Sequence, residues 1–449
     1  MGVSWTAWAA DQLPQPSVPP AKGGAPVPDA APAPPGGATP EPTPAPDAAG
    51  DAAAAEPPPP PPPPEATSAT LPMEGGPKDR PLTKDFPQKG AMVLQSVRPP
   101  ILETPFEVFD KGYVTPNDRF YVAWHSGAIP TTVDPSAFRL SVHGNVRRPV
   151  SLSLAEIRSL PKVEVTAIDQ APGNSRGMFQ PRVPGVQWGN GGMGNAKWTG
   201  VRLKDILDKA GIMPGTVQVR FKGAEKSSNP GVPPYMKSLD LAHATNGEVI
   251  VAFAMNGAPL PVLNGFPLKL VVPGWYGCYW VQMLNDIELL SAPDTNYWMV
   301  SADVVPATAR GDVQPGDTGY ATRPVGRMVP RSFITNVKVG EQLAPGQPAL
   351  VRGIAMGGDT GVARVEFSSD GGKSWTTARL DKDTGKYSFR RWQAQFTPKA
   401  GSVTLMSRCT NTNGVSQSRD ANWNPAGIMR DGIEAVQITV GDDGPAAEQ

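Results

Sequence analysis

Cysteine is nearly absent from this chain. Only Cys278 and Cys409 occur, in no C-x-x-C metal or redox spacing, and the sequence neither requires nor excludes a disulfide between them. Histidine is as scarce, and His143 and His243 belong to no recognisable constellation. Net charge is also missing: 41 basic residues balance 41 acidic ones, and no Lys/Arg cluster runs along one helix or strand. That argues against a nucleic-acid or anionic-membrane partner, either of which needs a concentrated basic footprint. No run of about eighteen apolar residues exists, so no bilayer-spanning helix is expected. The opening MGVSWTAWAADQ has neither a basic n-region nor an apolar h-region and reads poorly as a secretory signal.

Proline and glycine are abundant instead, with 54 and 48 residues. From Leu13 to about Gly90 the chain is mostly Pro, Ala, Gly, Asp and Glu, including eight consecutive prolines from Pro57 to Pro64. Such a stretch lacks the apolar residues for a core, and its proline run favours polyproline II at about 3.1 Å per residue. Residues 1–90 are therefore expected to be a disordered tether.

From Met92 the pattern turns to short β-branched runs: FYVAWH, FRLSVHG, VEVTAI, VQVRFKG, VIVAFAMNG and LKLVVPG. Two helices stand out among them. Leu154 to Leu160 follows Ser153, with Glu156 placed for a capping box, and Leu203 to Ala210 is closed by Gly211. Asn256-Gly257 signals a type I′ hairpin. This block reads as an α+β domain dominated by strands. A second block begins near Ser332, where ITNVKV, ALVRGIAM, VARVEFSSD, WTTARLD, YSFRRWQAQF, SVTLMSRCTN and IEAVQITV are separated by turns such as Asp370-Gly371-Gly372. Short strands with regular turns and no helix signal describe an immunoglobulin-like β-sandwich.

In this order, the segments NAKWTGVRLKDIL, VIVAFAMNGAPLPVLNGFPLKLVVPGWYGCYWVQML and TRPVGRMVPRSFITN resemble the sulfite oxidase family of molybdopterin oxidoreductases. The pattern is nearest to bacterial sulfite dehydrogenase molybdenum subunits that lack a haem domain, and it covers most of residues 95 to 440. The resemblance implies a molybdopterin-binding oxidoreductase domain over 91–325, an immunoglobulin-like dimerisation domain over 326–441 and a tail at 442–449. It also implies a homodimer, a molybdenum–molybdopterin cofactor without haem, a separate cytochrome as electron acceptor and a periplasmic location. The family moves an oxygen atom from a molybdenum oxo group to sulfite or a related sulfur compound.

In the family the metal's thiolate comes from a cysteine that opens a C-x-G-N-x-R turn. Here the turn reads APGNSR, and Ala171, which has no donor atom, occupies the cysteine position. The resemblance makes Gly173, Asn174 and Ser175 cofactor contacts and Arg176 the substrate-side arginine, whose fork suits an oxyanion. Tyr235 in PPYMKSLDL matches a hydrogen-bonding tyrosine near the metal, and Arg430 in WNPAGIMRD is offered from the second domain. Arg176, Tyr235 and Arg430 thus form the candidate catalytic set. His125 and Gln282 are further cofactor candidates, Gln282 standing where the family has a lysine on the pterin phosphate. Ala123 replaces a substrate-contacting arginine. Plainer roles stand beside these: His125 as a core histidine, Arg176 as a fork closing the turn, Tyr235 as packing, Cys278 as a small buried residue. Two functions follow. One is an oxidoreductase that binds molybdopterin with an altered metal sphere and acts on sulfite or a related sulfur compound. The other is a catalytically silent scaffold of the same fold, serving as a binding or assembly subunit.

Overall fold

The computed structural model describes residues 66–74, 76–227 and 229–441. Its first domain is built on three sheets. One is antiparallel, running Ser68–Thr70, Asp79–Thr83, Met92–Ser96, Ile101–Glu103 and Val122–Ala123. The second orders Met236–Asp240, Gln218–Gly223, Leu284–Leu290, Arg139–Gly144 and Val150–Ser153, with a parallel pairing between Leu284–Leu290 and Arg139–Gly144. The third carries the site: Lys162–Gln170 pairs with Met193–Arg202, which pairs with Ile250–Met255, and Lys269–Val271 adds to the last strand. Fully buried Trp198, Trp280 and Phe221 belong to the core these sheets enclose.

Local chemistry explains the elements that sequence made visible. The helix Leu154–Arg158 starts with a reciprocal box, Glu156 donating its N–H to Ser153 Oγ and accepting from the Ser153 N–H. Leu203–Ala210 buries Leu203, Ile206, Leu207 and Ala210 on one face. Asn256 and Gly257 both take positive φ, 54° and 80°, as a type I′ hairpin requires.

The tether expected over residues 1–90 must be shortened. Ser68–Thr70 and Asp79–Thr83 are paired strands, Leu71 and Met73 are buried against Val93, and the Lys89 side chain lies in the domain interior. A handful of apolar residues anchor this stretch to a preformed sheet, which composition averaged over ninety residues conceals. Residues 1–65 and the tail 442–449 lie outside the described residues. Among the described residues no helix is long and apolar enough to cross a membrane.

The second domain is a two-sheet sandwich. One sheet orders Arg331–Ile334, Ala349–Met356, Arg390–Phe396 and Arg379–Leu380; the other orders Gln342–Leu343, Ala435–Val440, Gly401–Asn411, Val362–Ser368 and Thr376–Thr377. Val351, Val365, Trp392, Leu405 and Cys409 fill the space between them. The domains are also joined to each other. Phe106 and Phe109 meet Phe333 and Phe389 edge to face at 5.8 and 5.7 Å, and Asp110 accepts from Arg352 Nη2 at 2.6 Å.

Arg331 lies at the centre of this junction, with a fully buried side chain. It donates to Glu434 (2.7 Å), to the Arg430 carbonyl (2.8 Å) and to Ser175 Oγ (3.1 Å). Removing Arg331 would leave Glu434 with Arg430 as its remaining partner and strip three acceptors of a charged donor. Arg331→Met should therefore lower the free energy of unfolding by about 3 kcal/mol, measured by urea titration; an unchanged midpoint would show that the junction does not depend on this pin.

Candidate functional site

At the end of the strand Lys162–Gln170 the chain enters the turn Ala171 to Arg176. The turn is closed internally by Asn174 N–H to Ala171 O (3.0 Å) and Arg176 N–H to Gly173 O (2.9 Å). Ser175 is left-handed, with φ 68°, a conformation that costs energy outside glycine and persists only where its surroundings hold it. The loop 188–192 does the holding: Ala171 N–H binds Gly192 O, Ser175 N–H binds Gly189 O, and Asn174 Oδ1 accepts the Gly192 N–H. Behind that loop the buried Glu103 carboxylate accepts from the N–H groups of Gly189 and Gly191 at 3.0 and 2.8 Å, and its burial raises its pKa.

Ala171 faces a cavity of about 40 Å³. His125, Gln282 and Ala123 line it too, so those sequence-derived positions do converge. Tyr235 stands one layer back, stacked on the His125 ring at 3.6 Å, its hydroxyl donating to the Cys278 carbonyl. Burial lowers the His125 pKa to about 4 and raises that of Tyr235 well above the ordinary tyrosine value. Both are neutral near pH 7. Gln282 Nε2 is committed to the Ala123 carbonyl at 2.8 Å.

The two arginines expected at the site are not among the residues lining this cavity. Arg176 folds back over Gly173, where a Cβ would lie 2.7 Å from its Cζ, and donates to the carbonyls of Gly427 (3.1 Å) and Val186 (3.3 Å). It is the fork that closes the turn and ties it to the second domain. Arg430 is paired with Glu434 through two contacts of 3.1 and 3.3 Å and lies over the Phe179 ring. Its charge is already used. Gly173, Asn174 and Ser175 shape the turn from outside the cavity wall; Asn174 Nδ2 is buried without a partner, yet the residue does not line the cavity.

The groups that do fill this region were not picked out from sequence. Lys269, almost completely buried, donates to Asp169 Oδ2 at 2.7 Å, and Tyr121 donates to Asp169 Oδ1 at 2.5 Å. Trp280 and Asn264 complete the lining with the thiol-bearing Cys278, which is free, buried and held protonated because burial pushes its pKa up. The available signal was a single charge inside each of two apolar runs, Asp169 in VTAIDQ and Lys269 in LKLVV. A lone charge in a buried strand implies a partner, but its partner is named only by the fold.

These residues do not fit a molybdopterin. Small-molecule pockets run to about 300 Å³ or more, and this cavity is far smaller. The metal would meet the Ala171 methyl where the family offers a thiolate, and the one cation lining the cavity besides neutral His125 is neutralised by Asp169.

Strand order, the turn and the sandwich together define the architecture of a molybdopterin-binding oxidoreductase domain followed by its dimerisation domain. The family "Oxidoreductase molybdopterin binding domain" matches residues 126–298, and "Mo-co oxidoreductase dimerisation domain" matches 324–440. The chain is 32% identical over 376 residues to mitochondrial sulfite oxidase of Macaca fascicularis, covering 80% of this chain and 68% of that one. It is 31% identical over 328 residues to sulfite oxidase of Arabidopsis thaliana, covering 70% and 82%. Its fold matches that of the sulfane dehydrogenase SoxCD from Paracoccus pantotrophus with a TM-score of 0.66, at 24% identity over 80% of this chain and 87% of that one. The chain belongs to the sulfite oxidase family.

Beside the cavity, Lys89 donates to Asn264 Oδ1 (2.6 Å) and to the carbonyls of Phe120 and Asn117 (both 2.8 Å). Burial lowers its pKa from 10.5 to about 7, against the attraction of Asp118. Between those values the unfolded chain binds the proton that the folded chain has released, so stability rises with pH. The urea midpoint should increase from about pH 7.5 to 9.5, by on the order of 1–2 kcal/mol of unfolding free energy. Lys89→Met should flatten that rise, and a variant that keeps the full slope would assign it to other groups.

Proposed function

We propose that this member of the sulfite oxidase family is a catalytically silent scaffold, a binding or assembly subunit that keeps the fold and dimerisation domain of an oxidoreductase without its cofactor. The observation that carries the reading is the small, partly open cavity at Ala171, with room for about three water molecules. Loss of the thiolate alone would leave a cofactor-sized space with one ligand fewer. What stands there is a small cavity walled by the Asp169, Lys269 and Trp280 side chains, with Gln282 bound to backbone. The alternative, an active enzyme on sulfite or a related sulfur compound, is favoured by the family and requires that space to open.

The chain purified from a host that synthesises molybdopterin should contain molybdenum far below one atom per chain. Ala171→Cys combined with Ala123→Arg supplies a thiol and a cation but no room, so it should neither recruit molybdenum nor produce sulfite-dependent reduction of an artificial acceptor. Stoichiometric molybdenum in the unaltered chain would defeat the scaffold reading, and its appearance in the double variant would reduce the difference to a missing ligand.

Assembly should be indifferent to the cofactor. The dimerisation-domain match spans residues 324–440, the sandwich core is separate from the cavity residues, and two-fold pairing is the commonest oligomer. Light scattering at micromolar concentration should give twice the mass of one chain. A monomer would leave that domain free for a different partner.

A further inference from the structure

The buried pair beside the cavity has a specific geometry. Lys269 Nζ faces the Trp198 ring at 5.4 Å and the Trp280 ring at 5.9 Å and makes its ion pair with Asp169. The Asp169 carboxylate is gripped on its other oxygen by the Tyr121 hydroxyl. Gly277 lies against both: a Cβ at that position would collide with Asp169 Oδ1 and with the Tyr121 oxygen. A cation buried at a cavity wall, fenced by aromatic faces, is what an anionic ligand needs. Here a carboxylate of the chain itself fills that role.

We infer that Asp169 is an internal occupant. Its carboxylate takes the position that the anionic group of a bound molecule would take on Lys269, and so closes a latent site for a small oxyanion. This rests on the reading that the pocket holds no molybdopterin, and it assigns the closure to one residue. Removing the negative charge leaves a neutral amide that holds the ammonium far more weakly than a carboxylate, so an external oxyanion can displace it from Lys269.

The test is the thermal unfolding midpoint of the full chain with sodium sulfate, or with sodium chloride at matched ionic strength. Sulfate stabilises folded chains generally by exclusion from their surface, so a sulfate-specific gain is counted as the rise over chloride beyond that of the Asp169→Leu, Lys269→Met pair, and the unaltered chain should show none. Asp169→Asn should lower the midpoint by roughly 5–10 °C, and sulfate, but not chloride, should recover at least half of that loss. The pair Asp169→Leu with Lys269→Met removes both charges, so it should fold with a midpoint near the parent's and set the baseline for sulfate. The inference is overturned if Asp169→Asn folds without a sulfate-specific gain, or if the unaltered chain shows such a gain and Lys269→Met removes it. If Asp169→Asn does not fold, a folded double variant supports the inference and an unfolded one overturns it. Molybdenum content is a separate readout: metal in the unaltered chain refutes the functional reading, whereas a sulfate-blind Asp169→Asn refutes only the assignment to Asp169.

Discussion

Taking a lysine and an aspartate out of water together is tolerated only if each finds full compensation, since either charge alone would cost several kcal/mol. At the floor of the cavity Lys269 and Asp169 meet that condition at 2.7 Å, and much of the surrounding structure follows from it. The Tyr121 hydroxyl must turn toward the carboxylate, residue 277 must lack a Cβ, and indole rings must flank the ammonium. One shell further out, Asn264 joins the Lys89 amine nitrogen to the Tyr121 carbonyl, so a second buried lysine is held in the same network. The site is polar, and its polarity is turned inward.

The elaborate turn at residues 171–176 has a mechanical explanation. Three connections run from it into the second domain: Arg176 to the Gly427 carbonyl, the Met429 N–H to the Pro172 carbonyl, and Arg331 to Ser175 Oγ. A fourth set ties it to the loop carried on Glu103. The turn is therefore a joint between domains as well as the rim of a pocket. The Ala171 side chain contributes no bond to that joint, whereas changing Gly173, Ser175 or Arg176 would disturb it.

This arrangement also bears on the proposed scaffold role. A chain whose interior charges are self-compensated does not need a cofactor to complete its core. It can present the sandwich and the outer surface of the first domain as a stable unit. Cys278 and Cys409 are both free, buried and protonated, so neither supports the fold by a covalent link.

By itself the sequence determined the features that depend on neighbours in the chain. The capping box at Ser153 and Glu156, the hairpin at Asn256 and Gly257, the helix Leu203–Ala210 and the strand-and-turn rhythm of the sandwich are local, and family resemblance placed Ala171 on the ligand position. Resemblance could align Arg176 and Arg430 with functional arginines, but it could not show that one binds carbonyls and the other Glu434. Averaged composition hid the strands within residues 68–83, because a few apolar side chains on a preformed sheet outweigh a disorder-prone background. Only the tertiary structure decided the state of the pocket. Asp169 and Lys269 lie a hundred residues apart, and whether a buried charge meets a ligand or another side chain depends on which strands the fold brings together.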